Sequence, residues 1–338
     1  MRLRKHSFRQ TLHNMKNYIG IDIGGTKCAV VFARENDDFS VDFLAKESFP
    51  TLPCAETLEK FCEIIESLSR STGVVLGEIS SIGISCGGPL DSRKGVIMSP
   101  PNLPKWDDVH ITDFFRKKFS IPAFIQNDAN ACALAEWKYG AGKGSENMVF
   151  MTFGTGLGAG IIANGRLLAG ANDNAGEVGH IRLEKFGPVG YGKRGSFEGF
   201  CSGGGIAQLG KLRAAELFQR GKSCAFCESA DKLDSISAKS IAIAADAGDA
   251  DAKKIYEESG EYLGRGISIL IDVLNPELIV IGSIFARSEN LLRESMQKAI
   301  DADALDLAAN VCKVVPALLG EKIGDYAAVS VASDGISK

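Results

Sequence analysis

Two short glycine-rich turns have the residue types that bind phosphate. The first reads Asp22-Ile23-Gly24-Gly25-Thr26-Lys27 between two apolar runs, and the second reads Gly154-Thr155-Gly156-Leu157-Gly158. Glycines let backbone N–H groups approach an anion closely and form a concave nest for phosphate. Each turn opens a strand rather than a helix, so neither fits the P-loop or the dinucleotide fingerprint. One such turn is also typical of an ordinary hairpin, whereas two predict that a nucleotide's β- and γ-phosphates are gripped from both sides.

An acidic residue lies between these turns, in Asn127-Asp128-Ala129-Asn130, after a predicted strand and before a predicted helix. Phosphoryl transfer to an alcohol needs one carboxylate to orient the hydroxyl and accept its proton. Asp128 can do this while Asn127 hydrogen-bonds a neighbouring hydroxyl. The alternative is that Asp128 only caps the helix, which would be worth about 1 kcal/mol. In the first turn, Asp22 could hold a hydrated Mg²⁺.

A further polar group follows the second turn and contains Glu177, His180 and Glu198. Two acids and an imidazole supply the acceptors that a polyhydroxylated sugar needs, and such a site strongly rejects analogues that lack a hydroxyl. Asn102 and Trp106 could add another polar contact and an apolar wall. A lone histidine is more often structural than functional, so the sugar interpretation depends on the whole set.

The elements that must position these residues form a repeated pattern. A strand, a glycine turn and a second strand occur at 18–33 and again at 147–163, about 130 residues later, which predicts an internal duplication. Apolar residues at helical spacing predict helices over 55–72, 129–139 and 321–333. Further strands are predicted at 81–85, 121–125 and 278–281, the last within a largely helical segment, 206–300.

The composition narrows the class of protein. The chain has 338 residues, 38 of them glycine, and a formal net charge of −4. This charge gives no electrostatic reason to expect nucleic acid or an anionic membrane as a partner. No stretch approaches about 18 consecutive apolar residues, so no transmembrane helix is predicted. Nine cysteines, mostly scattered singly, are typical of buried thiols in a reducing compartment and predict a cytoplasmic location.

Together the motifs resemble the ROK group of sugar kinases, repressors and open reading frames. The resemblance follows the family order from residue 18 to about residue 284, and six separated motifs carry it: 22–27, 87–91, 102–106, 127–130, 153–158 and 177–180. It implies an α/β chain with the actin-like ATPase (ribonuclease H-like) fold. Two duplicated domains with mixed β-sheets would enclose a cleft in which ATP and a hexose meet.

We expect the following domain boundaries. Residues 1–16 form an N-terminal extension, in which Met15 could be the true start and 1–14 an upstream addition. An N-terminal α/β domain spans 17–128, and a C-terminal α/β domain spans 129–317. The C-terminal helix, 318–338, is expected to pack back on the N-terminal domain.

The resemblance also implies roles for individual residues. Asp128 resembles the catalytic base. The substrate-binding residues would be Gly88, Asn102, Asn127, Asp128, Glu177, His180 and Glu198. The residues that bind ATP and Mg²⁺ would be Asp22, Gly24, Gly25, Thr26, Lys27, Gly154, Thr155, Gly156 and Gly282. After Gly282 the family often continues with glycines, whereas this chain has Ser283-Ile284-Phe285, so the adenine contact is expected to differ in detail.

The chain departs from the family at its zinc site. Many members bind structural zinc with the family's histidine and a cysteine-rich stretch that follows it. Here Val189, Tyr191 and Ser196 occupy the expected cysteine positions, and none is a structural zinc ligand. We therefore expect no structural zinc, a His180 that is free to bind sugar, and a loop held by packing. The side chains expected to provide that packing are Phe186, Tyr191 and Phe197.

A relocated zinc site is the alternative. Cys224 and Cys227 form a CxxC pair, and Cys201 and His180 could complete the ligand set. A single CxxC pair is a motif of low specificity, and nothing in the sequence places it near His180.

The resulting expectation is an ATP-dependent hexose kinase that transfers the γ-phosphoryl group to the 6-hydroxyl of glucose or a similar hexose. The alternatives are an N-acetylmannosamine or N-acetylglucosamine kinase, a fructokinase, and a non-catalytic sugar-binding regulator. Repressors of the family carry a helix-turn-helix domain ahead of the kinase-like body, and the stretch before Tyr18 is too short for one. A homodimer is expected from the resemblance alone.

Overall fold

The computed structural model describes residues 15–337. The elements of its first part are β1 (Lys16–Ile23), β2 (Lys27–Glu35), β3 (Val41–Pro50), α1 (Cys54–Thr72), β4 (Ile79–Cys86), β5 (Leu90–Asp91), β6 (Val96–Ile97), α2 (Ile111–Phe119), β7 (Ala123–Asn127) and α3 (Asp128–Tyr139). The elements of its second part are β8 (Met148–Phe153), β9 (Leu157–Ala163), β10 (Arg166–Leu167), β11 (Val189–Gly190), β12 (Lys193–Arg194), α4 (Phe197–Phe200), α5 (Gly203–Gln219), α6 (Ala238–Asp246), α7 (Ala250–Leu274), β13 (Leu278–Ile281), α8 (Ile284–Asp303), α9 (Asp306–Ala309), β14 (Lys313–Pro316) and α10 (Ile323–Gly335).

The two large sheets have the same topology. The first has the strand order β3-β2-β1-β4-β7 and the second has the order β10-β9-β8-β13-β14. In each sheet the opening hairpin is antiparallel, and the remaining strands run parallel to its first strand. The predicted internal duplication and the mixed α/β architecture are therefore confirmed. The glycine turns connect β1 to β2 and β8 to β9, at equivalent positions of the two sheets.

Each sheet has its own apolar core. In the first sheet β4 is buried along almost its whole length, as expected for a parallel strand covered on both faces. Helix α1 turns Phe61, Ile65 and Leu68 toward this core, which confirms the helix predicted over 55–72. The second core contains β8, β9 and β13 together with the buried faces of α5 and α7.

Helix α10 packs on the first sheet and on α3. It crosses β1 and β4 so closely that a Cβ on Gly83 would lie 2.1 Å from the carbonyl oxygen of Ala328. Only glycine allows this approach, because any side chain would displace the helix backbone. Residues 1–14, most of the expected extension, lie outside the described residues. The domain boundaries at 17–128 and 129–317 stay predictions.

The helical prediction for 206–300 resolves into α5, α6, α7 and α8, and the strand predicted at 278–281 is β13. The sequence did not predict β3 or α2. In the described part of the chain, no helix combines the length and the apolar character that crossing a membrane requires.

Candidate active site

A cavity of about 840 Å³ lies between the two parts of the molecule. It brings together most of the predicted substrate and phosphate residues, namely Gly88, Asn102, Asn127, Asp128, Gly154, Thr155, Gly156, Glu177, His180 and Glu198. Tyr191 lines it too, as do residues that the sequence did not single out, among them Asp173 and Asn174. Trp106, expected as an apolar wall, is instead buried in the core of the first sheet with 1% of its surface exposed. That expectation was wrong, because burying the large indole in the core stabilises the fold more than placing it beside a polar ligand would.

Asp128 lies at the start of α3, where β7 ends. Asn127 is the residue that caps this helix, since its side chain accepts a hydrogen bond of 2.8 Å from the backbone N–H of Asn130. The Oδ1 atom of Asp128 accepts the N–H of Ala129 at 2.8 Å. The interpretation of Asp128 as nothing more than the helix cap is therefore wrong. Its carboxylate projects from the end of the first sheet into the cavity.

The electrostatic surroundings of Asp128 and Asp22 are unusual. The pKa of Asp22 is raised to about 6, mainly by burial and also by the charges of Asp128 and Asp325, against the opposing effect of Lys46 and Lys27. Burial also raises the pKa of Asp128, against hydrogen bonds from the backbone that lower it. The Asp128 side chain opens to the cavity, yet protein surrounds the cavity closely enough to disfavour its charge. Two neighbouring acids with raised pKa values, one of which lines the cavity, are typical of a functional site.

The first glycine turn does not line the cavity itself, but it packs against a loop that does. Gly24 accepts a hydrogen bond of 2.6 Å from the Thr51 hydroxyl, which anchors the turn. A Cβ on Gly25 would lie 2.7 Å from the carbonyl oxygen of Asn102. Gly25, Thr26 and Lys27 are exposed, so their backbone and side chains are accessible to a ligand.

The second glycine turn is fixed by contacts from two directions. The Oε2 atom of Glu198 accepts the N–H of Leu157 at 3.0 Å, and the carbonyl of Gly154 accepts the N–H of Gly203 at 2.8 Å. Gly282 does not line the cavity, and its N–H bonds the carbonyl of Met151 at 2.9 Å. The structure thus gives Glu198 a positioning contact that the sequence did not predict.

Ser283 has an unusual backbone conformation next to this turn. It is the residue before α8, with φ of 57° and ψ of −113°. A Cβ on Gly154 would lie 3.4 Å from the Ser283 Oγ. The segment expected to lead to adenosine therefore lies beside the second turn.

His180 ends a 3₁₀ turn that begins after Glu177. Its ring meets Tyr191 edge-on at 5.2 Å between centroids, and its carbonyl accepts a hydrogen bond of 2.6 Å from the Lys193 ammonium. Between residues 15 and 337 no group of three or more His, Cys, Asp or Glu side chains is arranged to hold a metal ion. The Tyr191 ring thus contacts His180 from one of the three positions where the family's cysteines were expected.

The loop that follows is held partly as expected. Phe197 is fully buried and Tyr191 contacts His180, whereas Phe186 is 68% exposed and does not join the core. Hydrogen bonds also hold this loop. The buried Ser196 caps α4 through a 3.1 Å bond from Gly199, and Gln208 exchanges two hydrogen bonds with the backbone of Val189.

The cysteines of the alternative zinc site bind other partners. Cys227 donates to the carbonyl of Ser229, and Cys201 donates to the carbonyl of Ser259. The backbones of Cys224 and Cys227 pair in an isolated antiparallel β-bridge, and both thiols are free. In the described part of the chain, no third ligand joins this pair, so the structure gives the relocated zinc site no support.

The fold and the site define an α/β protein with an actin-like ATPase fold and a cleft between its two sheets. The sequence model of the ROK family matches residues 18–334, so the chain belongs to the ROK family. A glucokinase from Halalkalibacterium halodurans is 33% identical over 91% of this chain and 92% of its own length. The transcriptional regulator NagC of Escherichia coli K12 is 30% identical over 86% of this chain and 71% of its own length.

A solved structure extends the comparison. The glucokinase from Streptomyces griseus, determined in complex with glucose and AMPPNP, has a TM-score of 0.73 and 27% identity. The match covers 94% of this chain and all of the other. These comparisons confirm the expected fold and support the expected enzyme class, an ATP-dependent sugar kinase.

Proposed function

We propose that this protein is an ATP-dependent hexose kinase that transfers the γ-phosphoryl group to the 6-hydroxyl of glucose or a similar hexose. The observation that carries the proposal is the carboxylate of Asp128 in a cleft that the second glycine turn lines, while the first turn, at the equivalent position of the duplicated sheet, packs against the cleft residue Asn102. The similarity to glucokinases supports the sugar, and the related structure with AMPPNP supports ATP.

In the proposed reaction Asp128 acts as the general base. Its Oδ1 is occupied by the Ala129 N–H, which leaves Oδ2 to accept the proton of the sugar hydroxyl. The hydroxyl oxygen forms a bond to the γ-phosphorus as the bond between that phosphorus and the β,γ-bridging oxygen breaks. ADP leaves with the electron pair of that bond, and the proton stays on Asp128 until it is lost to solvent. A positioned base of this kind contributes about 10²–10⁴-fold to a rate.

The two glycine turns would bind the phosphates. Gly24, Gly25 and Thr26 with Lys27 on one side, and residues 154–156 on the other, offer backbone N–H groups, hydroxyls and a cation. Gly282 and Ser283 lie beside the second turn and would approach the nucleoside.

Asp22 suits a bound Mg²⁺. Magnesium is usually held by one or two carboxylates together with substrate phosphates rather than by a closed cage of protein ligands. Asp22 is partly buried and close enough to Asp128 and Asp325 for their charges to raise its pKa, and a cation would relieve that repulsion. When bound, Mg²⁺ would neutralise charge on the β- and γ-phosphates.

The sugar would contact Gly88, Asn102, Asn127, Glu177 and His180, which line the cavity around Asp128. Glucose is the first candidate, and N-acetylmannosamine, N-acetylglucosamine and fructose are the alternatives. The similarity to NagC favours a non-catalytic sugar-binding regulator as the second candidate function. The homodimer and the cytoplasmic location stay predictions.

A coupled assay of ADP release over a panel of hexoses and N-acetylhexosamines tests the proposal. We expect turnover that depends on both ATP and sugar, fastest with glucose. Sugar binding by calorimetry without any ADP release would instead support the regulator. Fast turnover of an N-acetylated sugar alone would keep the kinase class and overturn glucose.

A further inference from the structure

One hydrogen-bonded contact joins the two parts of the molecule beside the cleft. The carboxylate of Asp173 accepts the backbone N–H of Ser92 at its Oδ2 and the hydroxyl of Ser92 at its Oδ1, both at 2.7 Å. Ser92 lies in the turn between β5 and β6, which flanks the core of the first sheet. Asp173 lies in segment 168–177, between β10 and the 3₁₀ turn that ends at His180. The contact therefore connects the two parts directly.

The Asp173 side chain is buried and its backbone is held in an uncommon conformation. Only 9% of its surface is exposed, although it lines the cavity. Its φ of 62° is one that few residues other than glycine adopt, although aspartate tolerates it better than most. Bonds from two donors to one carboxylate are charge-assisted and stronger than neutral ones, which offsets this strain.

The segment that carries Asp173 also carries two residues of the cavity wall, one of them the proposed sugar contact Glu177. Asn174 and Glu177 follow it closely and line the same cavity. Behind them, the carbonyl of Gly176 accepts the N–H of Ala159 on β9 at 2.9 Å. The segment is thus tied to its own sheet at one end and to the opposite part of the molecule at Asp173.

We propose that Asp173 is a positioning residue for the sugar. By binding Ser92 it holds Asn174 and Glu177 at the correct separation from the first part of the molecule, where Asn102 and Asp128 lie. This inference rests on the proposed function. It predicts that the contact governs the affinity for hexose and leaves the affinity for ATP unchanged.

The test compares Asp173→Ala, Asp173→Asn and Ser92→Ala with the wild type. Hydrogen bonds to charged groups contribute enough that Asp173→Ala should raise the KM for hexose about 10-fold to 100-fold, while the KM for ATP stays within about twofold. Asp173→Asn keeps one acceptor oxygen, so its KM for hexose should lie between those of the wild type and Asp173→Ala. Ser92→Ala keeps the backbone N–H and should also be intermediate. The double variant should be no worse than Asp173→Ala, because both act on one contact.

A chemically matched pair serves as the control. Asp38 also accepts both the N–H and the hydroxyl of a serine, Ser40, but within one exposed turn away from the cavity. Asp38→Ala should leave both KM values unchanged. An unchanged KM for hexose in Asp173→Ala, or an equal rise in both KM values, would overturn the positioning role.

Hydrogen exchange separates failure of this inference from failure of the proposed function. If the wild type phosphorylates no sugar, the proposed function fails, but the contact can still be measured. Amide exchange across 168–177 should accelerate in Asp173→Ala and not in Asp38→Ala. Unchanged exchange there would refute the contact itself.

Discussion

Replacing Asp128 with asparagine isolates the contribution of the base. The amide oxygen can keep the 2.8 Å bond from the Ala129 N–H, so the side chain should hold its place at the start of α3. Its NH₂ group then faces the sugar and cannot accept a proton. We expect kcat to fall about 10²–10⁴-fold, or about 3–5 kcal/mol in the activation barrier. The KM for hexose should rise by no more than about 100-fold, because the contact that changes is one hydrogen bond from a hydroxyl to a charged carboxylate, worth about 1.5–3 kcal/mol.

The pH dependence gives a second measure of the same residue. Asp128 must be ionised to act as a base, and burial raises its pKa. In the wild type, kcat/KM should therefore fall as the pH decreases, at values above the range of an ordinary aspartic acid. Asp22, with a pKa raised to about 6, adds a second ionisation in that range. In Asp128→Asn the Asp128 ionisation disappears, and that of Asp22 moves lower because a neighbouring charge is gone.

The assay is the coupled measurement of ADP release at saturating ATP, with sugar binding followed separately by calorimetry. A variant with kcat within tenfold of the wild type would show that Asp128 is not the base. A variant that no longer binds sugar would show that Asp128 contributes mainly to binding, which also contradicts the reasoning.

Three further predictions concern stability and are measured by thermal or chemical unfolding. Gly83→Ala places a methyl group 2.1 Å from a carbonyl of α10 and should destabilise the fold by about 1–3 kcal/mol or more. The control Gly77→Ala, whose Cβ would meet nothing within 4 Å, should leave the stability unchanged. Equal effects of the two substitutions would contradict the close packing of α10. Ser283→Gly should relieve the strain of a φ of 57° and stabilise by up to about 1 kcal/mol, and a loss of stability would refute this. Ser196→Ala removes the buried cap of α4 and should cost about 1 kcal/mol; an unchanged midpoint would show that the cap contributes nothing.

Much of the fold could be predicted because its signals are local. The two glycine turns with flanking apolar strands revealed the duplication, and the helical spacing in 55–72 predicted α1. Strand β3 is half-exposed and mixed in polarity, so it lacks a clear period. The order of the strands follows from pairing between distant segments, which no local pattern encodes.

The candidate site was predicted less completely for the same reason. Local motifs were enough to single out Asp128 and His180. The contact between Asp173 and Ser92 joins residues 81 positions apart, so no local motif predicts it. The prediction for Trp106 was wrong because the sequence pattern, an aromatic residue near polar ones, is the same for a core residue and for the wall of a binding site. Only the fold shows that the ring turns toward the first core.

Several departures from ordinary packing lie in or beside the cleft. Asp22 and Asp128 have raised pKa values, whereas acids in structural ion pairs have lowered ones. Ser283 has a strained backbone beside the second turn. The buried Asn130, two residues after the base, has an Oδ1 atom with no hydrogen-bond partner among the described residues. Each feature costs stability, and proteins tolerate such costs mainly where function requires them. Two acids with raised pKa values next to a strained residue and an unpartnered amide oxygen therefore support chemistry in this cleft, independently of any relative.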